Sequence, residues 1–287
     1  MSDLPLLAED DQRLVPALEE RGVSAFPAVW EDPEVRWNGF DLTVIRSTWD
    51  YHRKSARYLK WAARAAEGGR LCNPLEMVRW NSHKSYLAEL GQRGLPVLPS
   101  EMGRPGERLE SILRRRGWSR AVVKPAISAD ADGAFVVEEG QAAALETRYR
   151  TGLDEGPQLI QPYVEEIDSG GEHSHVYFDG TYSHSVRRPP GLSIQGLRTS
   201  PATSLEPSPM EREVADRAVA GISPVPLYAR VDLVMRRSGP PALMELELIE
   251  PSLYLAFHPS AADRLAEAIV RRITARSTGE SQLRAPR

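Results

Sequence analysis

"ARVDLVMRRSGPPALMELELIEP", residues 229–251, sets carboxylates into an otherwise apolar strand pair. Val231, Leu233 and Met235 alternate with Arg230 and Asp232, and Leu246 and Leu248 alternate with Glu245 and Glu247, with Glu250 just beyond. Alternation of this kind predicts half-buried strands. The intervening "RRSGPP" is a turn signal, because Gly admits unusual backbone angles and Pro cannot continue a ladder. A hairpin symmetric about Ser238 and Gly239 puts Asp232 opposite Glu245 and Arg230 opposite Glu247. Like charges directly opposed on a sheet repel, so the pair calls for something positive between them.

The rest of the chain narrows what that could be. At 287 residues and 41% hydrophobic content there is material for more than one core. A net charge of −4 gives no basic surface for nucleic acid, and "RRR" at 114–116 reads as the solvated end of a helix before Gly117. There is no bilayer-spanning apolar run and no signal peptide, and the single Cys72 fits a reducing compartment, so the expected location is the cytoplasm. Cys72 reads as a small buried hydrophobe rather than a nucleophile.

Along the chain, "DQRLVPALEERG" has helical spacing, and "VSAFPAVW" and "FDLTVIRST" read as strands, the second apolar enough to be buried in a parallel sheet. "KSARYLKWAARAAEGG" is a helix closed by Gly68–Gly69, and a further helix starts at Ser82 as N-cap, with Lys84 in its first turn. A helix around 106–116, two strands in "SRAVVKPAISADADGAFVVEE", a helix in "AAALETRYR" and a strand in "PQLIQPYVEE" follow. "EHSHVYFDGTYSHSVRR" is a hairpin turning at Asp179–Gly180; residues 189–209 form a long loop, and "MEREVADRAVAGI" and "PSAADRLAEAIVRRI" are helices. From Ser277 onward the tail is expected to be disordered. The fold class is α+β or α/β with mixed sheets in two or three lobes.

No P-loop or Rossmann fingerprint and no zinc spacing is present. His173 and His175 share a strand face, but two polar residues on a half-exposed strand explain them better than a metal. Lys84 and Lys124, the latter ending the apolar "AVVKP", would each read alone as a snorkelling amine. With the acidic hairpin they read differently: carboxylates needing a cation and lysines needing an anion describe a Mg²⁺–nucleoside triphosphate site.

In that light the order of parts from Trp80 to Ile273 resembles the ATP-grasp superfamily, the fold of glutathione synthetases and D-alanine–D-alanine ligases. "VVKPAISADADG", "LIQPYVEE", "SGGEHSHV", "RVDLV" and "MELELIEP" carry the resemblance. It implies an N-terminal α/β lobe at 1–79, a small lobe at 80–163 and a metal-bearing lobe at 164–276, the last two clasping ATP, followed by the tail at 277–287. It also implies site residues: Lys84 and Lys124 on phosphate oxygens, and Gln161, Pro162, Tyr163 and Val164 at the interlobe hinge that reads adenine. Glu172 or Glu165 would take the ribose, and Asp232, Glu245 and Glu247 would hold Mg²⁺, two ions in the family's manner. Glu247 stands where the family more often has asparagine. Arg230 would stabilise the transferring phosphoryl group or a tetrahedral oxyanion; its plainer reading is a cross-strand salt bridge to Glu247. Arg187 and Arg188 could add positive charge there.

"IRSTWDY", "NP…RWN.K.YL" and "MELELIEPSLYL" are most similar to a bacterial subgroup that includes the O-ureido-serine cyclo-ligase of cycloserine biosynthesis. The implied activity is ATP-dependent carboxylate–amine ligation through an acyl phosphate on a small amino-acid-like substrate, ring closure included. Small-molecule partners are implied, with neither nucleic acid nor membrane, and an oligomer is compatible. The alternative is a non-catalytic nucleotide-binding relative that acts as a pathway partner. Arg46, Ser47, Thr48 and Asp50 follow a buried strand and are substrate candidates, while Trp49 and Tyr51 could equally be packing.

Three departures from the family pattern stand out. "MSDLPLLAEDD" is too polar and short for the family's first strand, which implies a misplaced start, a partner strand or a weakened lobe. Ser193 stands where the subgroup tends to place arginine, with Arg198 the nearest substitute. Asp130 and Asp132 make the phosphate-covering loop acidic, so they would repel a triphosphate unless they point outward.

Overall fold

A computed structural model describes residues 1–67, 70–129, 131–189 and 201–283, with backbone alone from 276 onward. In chain order the elements begin α1 (Glu9–Gln12), α2 (Leu14–Glu19), β1 (Thr43–Val44), α3 (Ser55–Ala65), β2 (Leu71–Cys72), α4 (Leu75–Asn81) and α5 (Tyr86–Gln92). Then come β3 (Glu101–Met102), α6 (Leu109–Arg116), β4 (Arg120–Pro125), β5 (Phe135–Glu138), α7 (Ala142–Glu155), β6 (Gln158–Pro162) and α8 (Glu166–Gly170). The last part holds β7 (Glu172–Phe178), β8 (Thr181–Arg188), β9 (Thr203–Leu205), α9 (Pro209–Ala220), β10 (Tyr228–Val234), β11 (Ala242–Glu247) and α10 (Ala261–Leu283).

These strands form three sheets: a parallel pair β1–β2, a four-stranded sheet ordered β3-β6-β4-β5, and a five-stranded sheet ordered β11-β10-β7-β8-β9. β10 is buried at every position because it has a neighbour on each edge and packed layers on its faces. Its apolar residues Ala229, Val231 and Leu233 join Leu246, Leu248, Val214, Ala218, Leu87 and Leu90 in one core, so α9 and α5 cover that side of the sheet. The opposite alternation turns Arg230 and Asp232 the other way. The register is the one the sequence predicts: Asp232 opposes Glu245 and Arg230 opposes Glu247.

Local signals explain much of this. Asp179 and Gly180 both take positive φ, 51° and 74°, the backbone of a tight hairpin turn whose twist suits flanking strands. Helix α9 starts with a capping box between Ser208 and Glu211 and has Pro209 in its first turn. Helix α6 ends at Gly117, which is left-handed with φ 65°.

The segment after β11 is pinned by side chains rather than by a ladder. Asn81 Nδ2 donates to the Leu246 carbonyl at 2.7 Å while its Oδ1 accepts the Leu248 N–H at 2.8 Å. Asn73, between β2 and α4, does the same, donating to the carbonyls of Tyr228 and Leu248 and accepting the Leu227 N–H at 2.7 Å. Tyr228 Oη lies 2.8 Å from the Ile45 carbonyl and 2.7 Å from that of Ile249, which ties the N-terminal lobe to the large sheet. The edge of β11 is covered by the 96–98 segment, through Leu243 N–H to the Pro96 carbonyl and Leu98 N–H to the Leu243 carbonyl.

Four expectations are corrected. "VSAFPAVW" forms no strand: Pro27 has no N–H to give, and the stretch runs as coil. Only Thr43 and Val44 of "FDLTVIRST" enter a ladder, because their one partner, β2, offers two residues. Lys84 lies between helices, not in a first turn. Ser82 donates to the Arg79 carbonyl at 2.8 Å and so closes α4, and the Lys84 N–H crosses to the Ala126 carbonyl at 2.9 Å. The backbone of α10 continues through 277–283, so the tail is helical there; 284–287 lie outside the described residues, as do Gly68, Gly69 and Asp130.

Among the described residues the N-terminal sheet has two strands, and no strand precedes β1. A mostly apolar cavity of about 570 Å³ lies along β1, lined by Leu14, Leu18, Phe26, Leu42 and Ile273 among others. No helix is long and apolar enough to cross a membrane among the described residues. α5, grouped with 80–163 by sequence, packs on the large sheet.

Candidate active site

The charged faces of β10 and β11 open on a second cavity, of about 420 Å³, between the four-stranded and five-stranded sheets, with Asp232 buried behind its wall rather than lining it. Both sheets supply its walls: Lys124 from β4, Gln161 and Pro162 from β6, Arg230 from β10, and Glu245 and Glu247 from β11. Lys84 enters from the break between α4 and α5, held where its N–H meets the small lobe.

The positive groups that the opposed carboxylates call for are present. Lys84 Nζ donates to Glu245 at 2.8 Å and to the Ser128 carbonyl at 2.9 Å, and Lys124 Nζ stands 3.9 Å from the other oxygen of Glu245. Asp232 is fully buried and chelated by Arg230, whose Nε and Nη2 each donate at 2.9 Å. Arg188 Nη2 bridges Asp232 at 2.8 Å and Glu172 at 2.7 Å, and its Nε donates to Ser174 Oγ. Ser174 Oγ in turn donates to Asp232 at 2.6 Å. Arg230 also pairs with Glu247, so the plain cross-strand salt bridge exists alongside the Asp232 chelate.

The electrostatics follow. Burial raises Asp232 and Glu245, but the guanidinium pair on one and the two ammonium groups on the other overcome it and hold each near a pKa of about 2. Glu247 goes the other way: burial, with Asp232 and Glu245 nearby, pushes it to about 7 against the pull of Arg230. Burial lowers Lys124 by more than Glu245 restores. Glu250, at 7% exposure, is raised well above the ordinary range by burial and then by Glu247.

Could these residues hold Mg²⁺? Among the described residues no three acidic, histidine or cysteine groups stand close enough to hold an ion as they are, because arginines and lysines occupy the oxygens. The donor chemistry fits: three carboxylates on one sheet face are the hard oxygen set Mg²⁺ takes alongside phosphate. The cations now on them are of the kind that would prefer phosphate oxygens when these arrive.

The other candidates divide. Gln161, Pro162, Tyr163, Val164 and Glu172 line the cavity, whereas Glu165 does not: its side chain is 62% exposed and faces Arg120 and Arg237. Arg187 is exposed. Arg46, Ser47, Thr48 and Asp50 are structural in their contacts. Arg46 and Ser47 both bond Asp11, Arg46 also reaches the Pro251 carbonyl at 2.6 Å, Thr48 pairs with Tyr58, and Asp50 accepts from the Trp30 indole. None of the four lines the site, while their neighbours Trp49 and Tyr51 do. The loop leaving β1 aims these two rings at the cavity and turns the polar residues into the lobe. Asp132 points outward, paired with His52 and Arg53. His173 bonds Glu211 and His175 is buried against Ser185, neither at the cavity. Ser193 and Arg198 lie outside the described residues.

Sequence reasoning missed Ser174, Tyr254 and the position of Glu250 in the wall. Ser174 shares its strand face with Glu172 and stands opposite Asp232, a pairing legible only once β7 is known to neighbour β10. Tyr254 takes a left-handed φ of 52°, which no local sequence signal announces.

Comparison with known proteins gives a consistent set. Residues 1–73 match the family described as "D-cycloserine synthetase DcsG, N-terminal domain". The cycloserine biosynthesis protein DcsG of Streptomyces lavendulae is 32% identical over 276 residues, covering 91% of this chain and 92% of that protein. The crystal structure of D-cycloserine synthetase DcsG superposes with a TM-score of 0.86 at 32% identity, over 92% of this chain and 94% of that one. A D-alanine–D-alanine ligase from Bacillus anthracis complexed with ATP gives a TM-score of 0.64 at 16% identity over 96% of each chain. The ATP-grasp ligase PsnB complexed with a phosphomimetic precursor variant, Mg and ADP gives 0.63 at 15% over 94% of this chain and 96% of that one. The last two likenesses speak to the fold.

Proposed function

We propose what this chain does from one premise: it belongs to the DcsG family of ATP-grasp ligases. It is an ATP-dependent ligase that forms C–N bonds, and its substrate is a small amino-acid-like carboxylate, with ring closure as the outcome. The observation that carries the reading is the meeting of Lys84 and Lys124 on Glu245, at a cavity walled by both sheets.

In this reading Pro162 to Val164, where the chain leaves the β6 ladder, and Gln161 beside them hold the adenine, and Glu172 takes the ribose. Lys84 and Lys124 exchange Glu245 for phosphate oxygens. Mg²⁺, two ions in our reading, would sit on Asp232, Glu245 and Glu247 and would supply charge neutralisation for the phosphates. Phosphoryl transfer asks mainly for positioning and charge compensation. A substrate carboxylate oxygen attacks the γ-phosphorus and the bond to ADP breaks, leaving an acyl phosphate. A nitrogen lone pair then attacks the acyl carbon, inorganic phosphate leaves and the nitrogen gives up a proton. Arg230 from β10 and Arg188 from β8, the strands on either side of β7, face the cavity, where they would stabilise the transferring phosphoryl group and the oxyanion. Trp49 and Tyr51 close the cavity from the N-terminal lobe and exclude water. The reaction uses small molecules in the cytoplasm and needs no nucleic acid or membrane.

One observation favours a second reading. Asp232 is sealed beneath Arg188 and Arg230, as it would be in a nucleotide-binding relative that does not turn over. ADP release with Mg·ATP and O-ureido-serine separates the two. Substrate-dependent release that Asp232→Asn and Lys124→Ala abolish establishes the ligase. Saturable Mg·ATP binding without release for this compound and a wider amino-acid panel establishes the binding relative.

A further inference from the structure

Glu250 takes no part in the scheme above, yet it lines the same cavity. It is 7% exposed, and among the described residues its carboxylate makes no hydrogen bond or ion pair. Isolated carboxylates this deeply buried are costly unless a cation meets them. The Arg46, Lys84 and Arg230 charges reach Glu250 only at a distance, each being bonded to another carboxylate, and Glu247 opposes them; the cavity wall beside it carries aromatic rings. The Trp49 indole donates to the Glu250 main-chain carbonyl at 3.1 Å, which seats that ring beside it, and Tyr51 and Tyr254 line the same wall. Tyr254 is held at a left-handed φ of 52°, a conformation unfavourable for a bulky side chain and most often retained at ligand sites. The Arg230 guanidinium lies 5.9 Å from the centre of the Tyr254 ring and bonds the Ser252 carbonyl, so this wall adjoins the group assigned to the phosphoryl.

We propose that Glu250, with the rings of Trp49, Tyr51 and Tyr254, is the receptor for the ammonium group of an α-amino-acid substrate. A single carboxylate on a cavity wall that also carries aromatic rings suits an organic ammonium, which gains from both; a hard metal ion would need several oxygens. The position suits an α-amino acid in particular. Its ammonium and carboxylate are separated by one carbon, so an ammonium receptor must adjoin the place where carboxylate meets phosphate. Glu250 follows Glu247 by three residues on the segment that Asn81 and Asn73 pin. The assignment rests on the ligase reading and gives the α-amino group of its amino-acid substrate a named receptor.

The test is calorimetric titration of the protein, saturated with Mg²⁺ and a non-hydrolysable ATP analogue, with O-ureido-serine and with the same compound lacking the α-amino group. The wild type should bind the amine form and lose about tenfold or more in affinity for the des-amino form, as removal of a charge-assisted contact does. Glu250→Gln should weaken the amine form to the same degree and leave the des-amino form unchanged, and Glu250→Asp should restore part of the loss. The wild-type comparison requires no variant to fold. Equal affinity for both compounds in the wild type, or an unaltered amine affinity in a folded Glu250→Gln, overturns the proposal, as does a wild type that binds neither. The thermal rise with Mg·ATP in that same wild-type sample reports separately on the nucleotide reading, which stands if the rise is seen.

Discussion

Replacing Lys84 by methionine keeps the length of the side chain and removes its charge. Lys84 is 6% exposed and makes two contacts, 2.8 Å to Glu245 and 2.9 Å to the Ser128 carbonyl. Breaking a buried pair from one side costs about 3–5 kcal/mol. Here Glu245 keeps 20% of its side chain in solvent and keeps Lys124 at 3.9 Å, so the expected loss is lower, about 2–3 kcal/mol. Linkage gives a similar figure. The Glu245 carboxyl is carried from 4.5 to about 2 by the two lysines acting against burial, and at 1.36 kcal/mol per unit that is about 3 kcal/mol, of which Lys84 supplies the larger share. A carboxylate whose folded pKa is depressed stabilises the fold above its unfolded value and loses that stability as pH falls through its folded value. The deficit of the Lys84→Met protein should therefore be full at pH 7 and more than half gone at pH 3. Urea unfolding of both proteins at the two pH values measures it, and at neutral pH the melting temperature should fall by about 3–5 °C. A deficit under about 0.5 kcal/mol at pH 7, or one that grows toward acid, refutes the account of Glu245. Retained thermal protection by Mg·ATP in the same variant refutes the phosphate role of Lys84.

Wild-type protein at about a hundred times the dissociation constant of Mg·ATP should gain about 2.7 kcal/mol, seen as a rise of several degrees in thermal unfolding. Chelating divalent metal with EDTA in the absence of nucleotide should leave the melting temperature unchanged, since arginines and lysines already neutralise the acids. Asp232→Asn should abolish ADP release in a coupled assay while circular dichroism shows an intact fold. Asn81→Ala unpairs the Leu246 carbonyl and the Leu248 N–H together and should cost about 2–4 kcal/mol by urea denaturation, with Mg·ATP binding weakened as the strand end loosens.

The hairpin was legible because its alternation, turn and symmetry all point one way, and the Asp232–Glu245 register follows from counting. The lysines were legible as a set with it. The N-terminal lobe was not. Whether "RSTWD" presents Arg46 and Thr48 or Trp49 and Tyr51 to a ligand depends on how the loop leaves β1, and Asp11, thirty-five residues earlier in the chain, settles it by capturing Arg46. "VSAFPAVW" looked like a strand from its apolar residues, but a strand requires a partner edge, which is a tertiary fact. Ser82 shows the same limit at closer range: a good N-cap residue caps nothing when its hydroxyl is spent on the helix behind it.

The pairing around the cavity has a kinetic corollary. Asp232, Glu245, Glu247 and Glu172 are matched by Lys84, Lys124, Arg188 and Arg230, four carboxylates against four cations, and burial favours the uncharged form of Glu250, so the free pocket presents almost no net field to solvent. An anionic nucleotide approaching from a distance is not pulled in, and the protein as a whole, at −4, offers no attraction either. Association with Mg·ATP should therefore proceed at the pace of unaided diffusion and docking, nearly flat across ionic strength, while the discrimination that the charges provide is exerted only after arrival, when phosphate and metal exchange partners with the protein's own ion pairs.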